Sequence, residues 1–137
     1  MAFWLLKSEP ESWSWTDQLS KGTEPWNGVR NHQAAANMRA MRLGDRAFFY
    51  HSGKERRILG IVEVVREYHP DPSDESGRFG MVEVKAVAPL PRPVDLAEIK
   101  AEPRLSHLAL LRQSRLSVQP VDEAAWALIL EMGGVTA

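Results

Sequence analysis

Nine prolines and nine glycines are spread through this 137-residue sequence so that regular structure can run only in short pieces. Proline lacks an N–H and restrains the residue before it, so it tends to end strands and helices alike. Residues 2–7 form an apolar, aromatic run of strand length that stops at Ser8-Glu9-Pro10. A short helix follows, with Ser14 as N-cap, Asp17 three residues on, and Gly22 ending it after Lys21. Residues 23–31 read as a turn-rich loop holding Pro25, Asn27-Gly28 and one aromatic, Trp26. An alanine-rich helix is predicted over 33–42, with Ala34, Met38 and Met41 on one apolar face and Gly44-Asp45 closing it.

Strands are expected at 46–52, 57–68 and 79–88, joined by a hairpin loop at 53–56 and a polar connection at 70–77. Pro89, Pro91 and Pro93 are expected to interrupt regular structure. A helix at 95–101, a helical turn or two at 105–111 and a short strand at 116–118 punctuated by Pro120 come next. Asp122 caps a last helix over 123–132, with Trp126, Ile129 and Leu130 at helical spacing and Gly133 after it. Short strands with helices inserted between them give a mixed α+β domain around a small sheet or barrel. They do not alternate regularly with long helices, which disfavours a doubly wound parallel sheet. The length fits one domain over 1–137 that hides roughly two-thirds of its unfolded surface.

The chemistry is bounded mostly by what is missing. The sequence has no cysteine, which excludes disulfides, thiolate zinc sites and a cysteine nucleophile, and fits a cytoplasmic location. No signal peptide or membrane span is readable. No phosphate-binding or dinucleotide glycine motif occurs. His32, His51, His69 and His107 lack metal-ligand spacing, and His69 with Asp71 and Asp74 reads as an ordinary solvated turn, so no metal or cofactor is expected. A hydrolase using Ser8 or Ser52 with His51 and Asp45 has no nucleophile-elbow motif to support it.

Charge and tryptophan placement say more. Seventeen basic against eighteen acidic residues leave a net charge of -1, unlike a protein that coats phosphate backbone. Between residues 30 and 57, however, seven basic residues (Arg30, Arg39, Arg42, Arg46, Lys54, Arg56, Arg57) face two acidic ones. If the helix from Gln33 packs beside the Gly53 hairpin, they make one phosphate-attracting face; otherwise they are a solvated helix face. Of five tryptophans, Trp4 and Trp126 read as core, while Trp13 and Trp15 read as a hydrophobic staple at a helix start. Trp26 lies alone in a loop, where it either packs on the domain or offers a platform for a planar ring.

Several segments carry a resemblance. Trp4-Leu5-Leu6-Lys7-Ser8-Glu9-Pro10-Glu11, Trp26-Asn27-Gly28-Val29-Arg30-Asn31, Met38-Arg39-Ala40-Met41-Arg42-Leu43-Gly44-Asp45 and Phe48-Phe49-Tyr50-His51-Ser52 resemble successive signatures of the EVE domain family. So do Gly60-Ile61-Val62-Glu63-Val64-Val65, Pro70-Asp71-Pro72 and Arg115-Leu116-Ser117-Val118-Gln119-Pro120-Val121. The resemblance implies a PUA-like fold, a small curved β-barrel with helices around it, and kinship with the YTH domains that read methylated adenine in RNA. It also implies a reader of modified bases, with modified cytosine such as 5-methylcytosine in DNA foremost and RNA as the other choice. By position, Lys7 and Ser8 would edge the pocket and Trp26 would stack on an everted base. Val29, Arg30 and Asn31 would line the mouth, and Tyr50, His51 and Ser52 the opposite wall. His32 stands where many relatives carry tyrosine, so it joins the pocket set.

Arg39, Arg42, Arg56 and Arg57 are expected to hold flanking phosphates. The expectation is a non-catalytic, monomeric module whose partner is nucleic acid. A nucleoside-acting enzyme using Ser8, His51 or Ser52, and a protein-interaction domain, are the alternatives.

Overall fold

A computed structural model describes residues 1–135. Six strands form one sheet: β1 (Phe3–Ser8), β2 (Thr23–Pro25), β3 (Arg46–His51), β4 (Arg57–Pro70), β5 (Gly80–Asp95) and β6 (Val118–Val121). Their spatial order is β2-β5-β4-β3-β1-β6. Only β1 and β3 pair in parallel; the other neighbours are antiparallel. The expected α+β class is present, but the sheet is not closed into a barrel. β2 and β6 remain at opposite edges, and repeated register shifts along β4 and β5 bend the sheet instead.

Helices α1 (Trp15–Lys21), α2 (His32–Ala40), α3 (Leu96–Lys100), α4 (Ala109–Arg112) and α5 (Glu123–Met132) complete the fold, with a 3-10 turn at Pro103–Leu105. Among the described residues no helix is long and apolar enough to cross a membrane. Strand periodicity divides the core in two. Ala47 and Phe49 of β3 point into a cluster with Trp4, Leu6, Trp15, Trp26 and α2 residues Ala34 and Met38. Phe48 and Tyr50 point to the other face, where Ile58, Ile99, Leu105, Trp126 and Ile129 gather. Trp126 stacks on Phe48 at 3.9 Å and on Phe3 at 4.5 Å, so Trp4 and Trp126 are both core as expected.

Several boundaries differ from the sequence reading. Residues 23–25 are not loop but an edge strand on β5. β5 continues through Pro89, Pro91 and Pro93. Gly60 pairs with Pro89 and Ile58 with Val94, so residues 90–93 lie opposite Leu59 alone. The two later prolines sit in that bulge, where the ladder asks for no donor. β6 runs later than expected, over Val118–Val121, and carries Pro120 because it is an edge strand with β1 on one side only.

Gly60 is a packing necessity. A Cβ built there would lie 2.3 Å from Cζ2 of Trp15, whose ring packs on Phe49 at 5.3 Å. Ser14 and Asp17 form the anticipated capping box: the Ser14 hydroxyl accepts from Asp17 N–H at 3.1 Å, and Asp17 accepts from Ser14 N–H at 3.0 Å.

Candidate functional site

β1 delivers Lys7 and Ser8 to the rim of a pocket of about 460 Å³. The far wall is the segment after α1: Glu24 and Pro25 of β2, then Trp26, Asn27, Gly28, Val29, Arg30 and Asn31. Glu9, Ser12 and Trp13 close one end, and Ser117 lies beside Lys7. Six members of the expected set therefore meet here: Lys7, Ser8, Trp26, Val29, Arg30 and Asn31.

Trp26 is not an open platform. It is only 8% exposed: its backbone N–H donates to the Val82 carbonyl at 2.7 Å, and its ring meets Phe49 edge-on at 5.7 Å within the core. Trp13, read as a staple, is the more accessible indole. It is half-buried, lines the pocket, and donates its Nε1–H to Gln18 at 2.9 Å with Lys21 above the ring at 5.7 Å. The Ser8 hydroxyl is spent on the Trp13 carbonyl, so it fixes that turn. Lys7 donates to the Ser114 carbonyl at 2.9 Å, and burial lowers the pKa of its amine. Asn31 caps α2, its Oδ1 accepting from Ala34 at 2.9 Å.

Asp71 holds the far wall from behind. It is 3% exposed, not part of a solvated turn. It accepts from Gly28 N–H at 2.8 Å, from Arg30 at 3.3 Å, and from Ser73 through N–H at 2.8 Å and hydroxyl at 2.6 Å. Burial alone would raise its pKa, but the bonds from Ser73, Gly28 and Arg30 outweigh burial and hold it at about 2. Gly28 reaches that contact with a φ of +77°, which suits glycine. Arg30 stays exposed, but its guanidinium is engaged by Asp71 and by Ser73, the latter on its second nitrogen at 3.1 Å.

The remaining expected residues lie elsewhere. His51 shares the Phe49 side of β3, but its Nε2 accepts from Trp15 N–H at 2.9 Å while Nδ1 meets Glu55 at 3.1 Å. Tyr50 points to the opposite face of the sheet. Ser52 borders another depression with Glu9 and Lys54, and braces Ser8 by donating its N–H to the Ser8 carbonyl at 2.9 Å. His32 is exposed at the start of α2, 5.0 Å from Phe79, and does not line the pocket.

The expected arginine face is divided as well. Arg39 lies over Tyr68 at 5.0 Å, and Arg42 donates to the carbonyls of Arg39 and Met41 at 2.9 and 3.1 Å. Arg56 and Arg57 line a separate depression with Asp95, which Arg57 approaches at 3.4 Å. Among the described residues no cluster of carboxylates and histidines has metal-binding geometry.

Sequence reading missed Ser12, Trp13, Glu24 and Asp71 as parts of this site. The Asp71-Pro72-Ser73 turn signal was visible, but a side chain that reaches residue 28 is a tertiary event.

A bent sheet with helices on both faces defines a PUA-like α+β domain, and the pocket lies at the end of its parallel pair. The EVE domain model matches residues 2–132, and the chain belongs to that family. Human thymocyte nuclear protein 1 is 35% identical over 168 residues, covering 94% of this chain and 72% of the human one. A Rhodopseudomonas palustris protein solved by NMR superposes with a TM-score of 0.93 at 56% identity, covering 98% of this chain and 94% of that one. A crystal structure of human THYN1 in complex with DNA containing 5-methylcytosine superposes with a TM-score of 0.92 at 33% identity over 100% of both chains.

Proposed function

We propose that this protein is a non-catalytic, monomeric reader that takes a modified cytosine of DNA into the pocket between β1 and residues 24–31. The observation that carries the reading is the pocket's construction, two indoles at its wall with polar groups at its mouth. A family member bound to 5-methylcytosine DNA supports the choice of base. The volume, about 460 Å³, is in the range of small-ligand sites. Withdrawing a base from its stack costs a few kcal/mol, and stacking on an aromatic ring returns about 1–3 kcal/mol. Glu9 is a carboxylate acceptor of the kind that pairs with cytosine's exocyclic amine, Glu24 being ion-paired with Lys21, while Pro25 and Val29 give apolar surface for an added methyl.

The enzyme alternative is disfavoured by the same geometry. Ser8 has donated its hydroxyl to Trp13, and His51 is held by Trp15 and Glu55. Asp45 precedes β3 and His51 ends it, which separates them by about 20 Å at strand rise.

Fluorescence anisotropy tests the reading, with oligonucleotides carrying 5-methylcytosine, plain cytosine, or the same bases in RNA. Methylated DNA is expected to bind tightest, and Trp13→Ala to weaken it by about 1–3 kcal/mol, roughly 5- to 150-fold. Equal affinity for every oligonucleotide, untouched by the substitution, would refute it.

A further inference from the structure

We propose that Arg112 and Arg115, on the turn that leads into β6, hold the phosphodiester next to the base pocket. This rests on the base reading above and supplies the backbone grip that reading needs. The turn borders its own depression of about 300 Å³, which shares Asn31 with the base pocket. Ser117, two residues past Arg115, lines the base pocket itself.

Charge separates this depression from its neighbours. The base pocket has Glu9 and Glu24, the hollow at the N-terminus has Asp122 and Glu123, and the two near the Gly53 hairpin both have Glu55. Unlike those four depressions, this one is lined by cations and by no carboxylate. Arg112 and Arg115 are exposed, and among the described residues neither meets a carboxylate. Arg30, Arg46, Arg57, Arg66, Arg92 and Arg104 by contrast are ion-paired, and Arg39, Arg42, Arg56 and Arg78, whose side chains meet no carboxylate either, line neither this depression nor the base pocket. An unpaired guanidinium is ready for bidentate contact with phosphate, without first breaking an internal bond.

The turn is also held in place. Leu116 N–H donates to Gln113 at 3.1 Å, and the Leu116 side chain is buried in the core. The Lys7 amine donates to the Ser114 carbonyl, and Lys7 N–H to the Ser117 carbonyl, both at 2.9 Å, so two hydrogen bonds tie the base-pocket rim to this turn. Arg112 is held by its Nε–H on the Ser106 carbonyl at 3.1 Å, and among the described residues its terminal nitrogens have no hydrogen-bond partner. Gln33 and Ser114 add neutral groups for the remaining phosphate oxygens.

The test is a salt titration of DNA binding with Arg112→Gln/Arg115→Gln, using methylated and plain oligonucleotides, with Arg66→Gln as a distant control. Loss of two phosphate contacts is expected to weaken both oligonucleotides alike by about tenfold at 0.1 M salt. It should also cut the slope of log K against log salt by about 1.8, leaving the methyl preference intact. Arg66→Gln should bind as wild type, and thermal unfolding should match for all variants. Unchanged affinity and slope in the double variant would overturn the proposal while leaving the base reading standing. A loss of methyl preference with an unchanged slope would overturn it too. If wild type has no methyl preference yet the double variant loses affinity and slope, the phosphate site stands and the base reading falls. Failure of wild type to bind any DNA overturns both.

Discussion

Asp71→Asn removes the charge that braces the pocket wall, and the pKa sets the size of its effect. The native carboxyl titrates at about 2 against an ordinary 3.8. Each unit of separation corresponds to about 1.4 kcal/mol, so the ionised form contributes about 2 kcal/mol at neutral pH. Because the folded pKa is depressed, that contribution is complete above pH 3.8 and fades as pH falls toward 2. About half of it should remain at pH 3. Urea unfolding followed by tryptophan fluorescence at pH 7, 4 and 3 measures this, taking wild type minus variant so that other carboxylates cancel. The variant should be less stable by about 2 kcal/mol at pH 7 and by about 1 kcal/mol at pH 3. An equal midpoint at pH 7, or a deficit that stays constant down to pH 3, would show that the Asp71 charge does not brace residues 28–30.

Two further substitutions test the packing and the helix start. Gly60→Ala places a methyl 2.3 Å from the Trp15 ring and should cost about 1–3 kcal/mol in urea unfolding, with altered near-UV dichroism. A variant as stable as wild type would mean Trp15 has room to move. Ser14→Ala removes the α1 cap and should cost about 1 kcal/mol, against no measurable change if the Asp17 side alone holds the turn.

What the residues disclosed in advance was local. The Ser14–Asp17 box and the limits of α5 follow from capping chemistry, and α5 was placed to the residue. β3 was readable because Phe48 and Phe49 are apolar on both sides, as a strand buried on both faces must be. The prolines of β5 misled because a bulge is decided by the partner strand, not by the strand itself. The site divided along the same line. Lys7, Ser8, Trp26, Val29, Arg30 and Asn31 belong to strong local motifs and line one pocket. Tyr50 and His51 do not, because alternation sends one to the other face and a bond from Trp15 claims the other. Local positive charge left open a single arginine face or a solvated one, and it is the fold that sets Arg39 over Tyr68 and Arg56 and Arg57 in a separate depression, with Arg57 paired to Asp95.

The pairing of β1 has a consequence for how the chain is made. Phe3 pairs with Arg46 on one side and with Val121 on the other, so β1 is synthesised before both of its partners and is completed only once β6 has emerged. Contacts so distant along the chain form slowly, since loop closure must precede them. The pocket inherits that order: Lys7 is tied to Ser114 and Ser117, and its rim cannot close until most of the chain has emerged. A nascent chain arrested before residue 114 should therefore bind no base, however well its first two helices have formed.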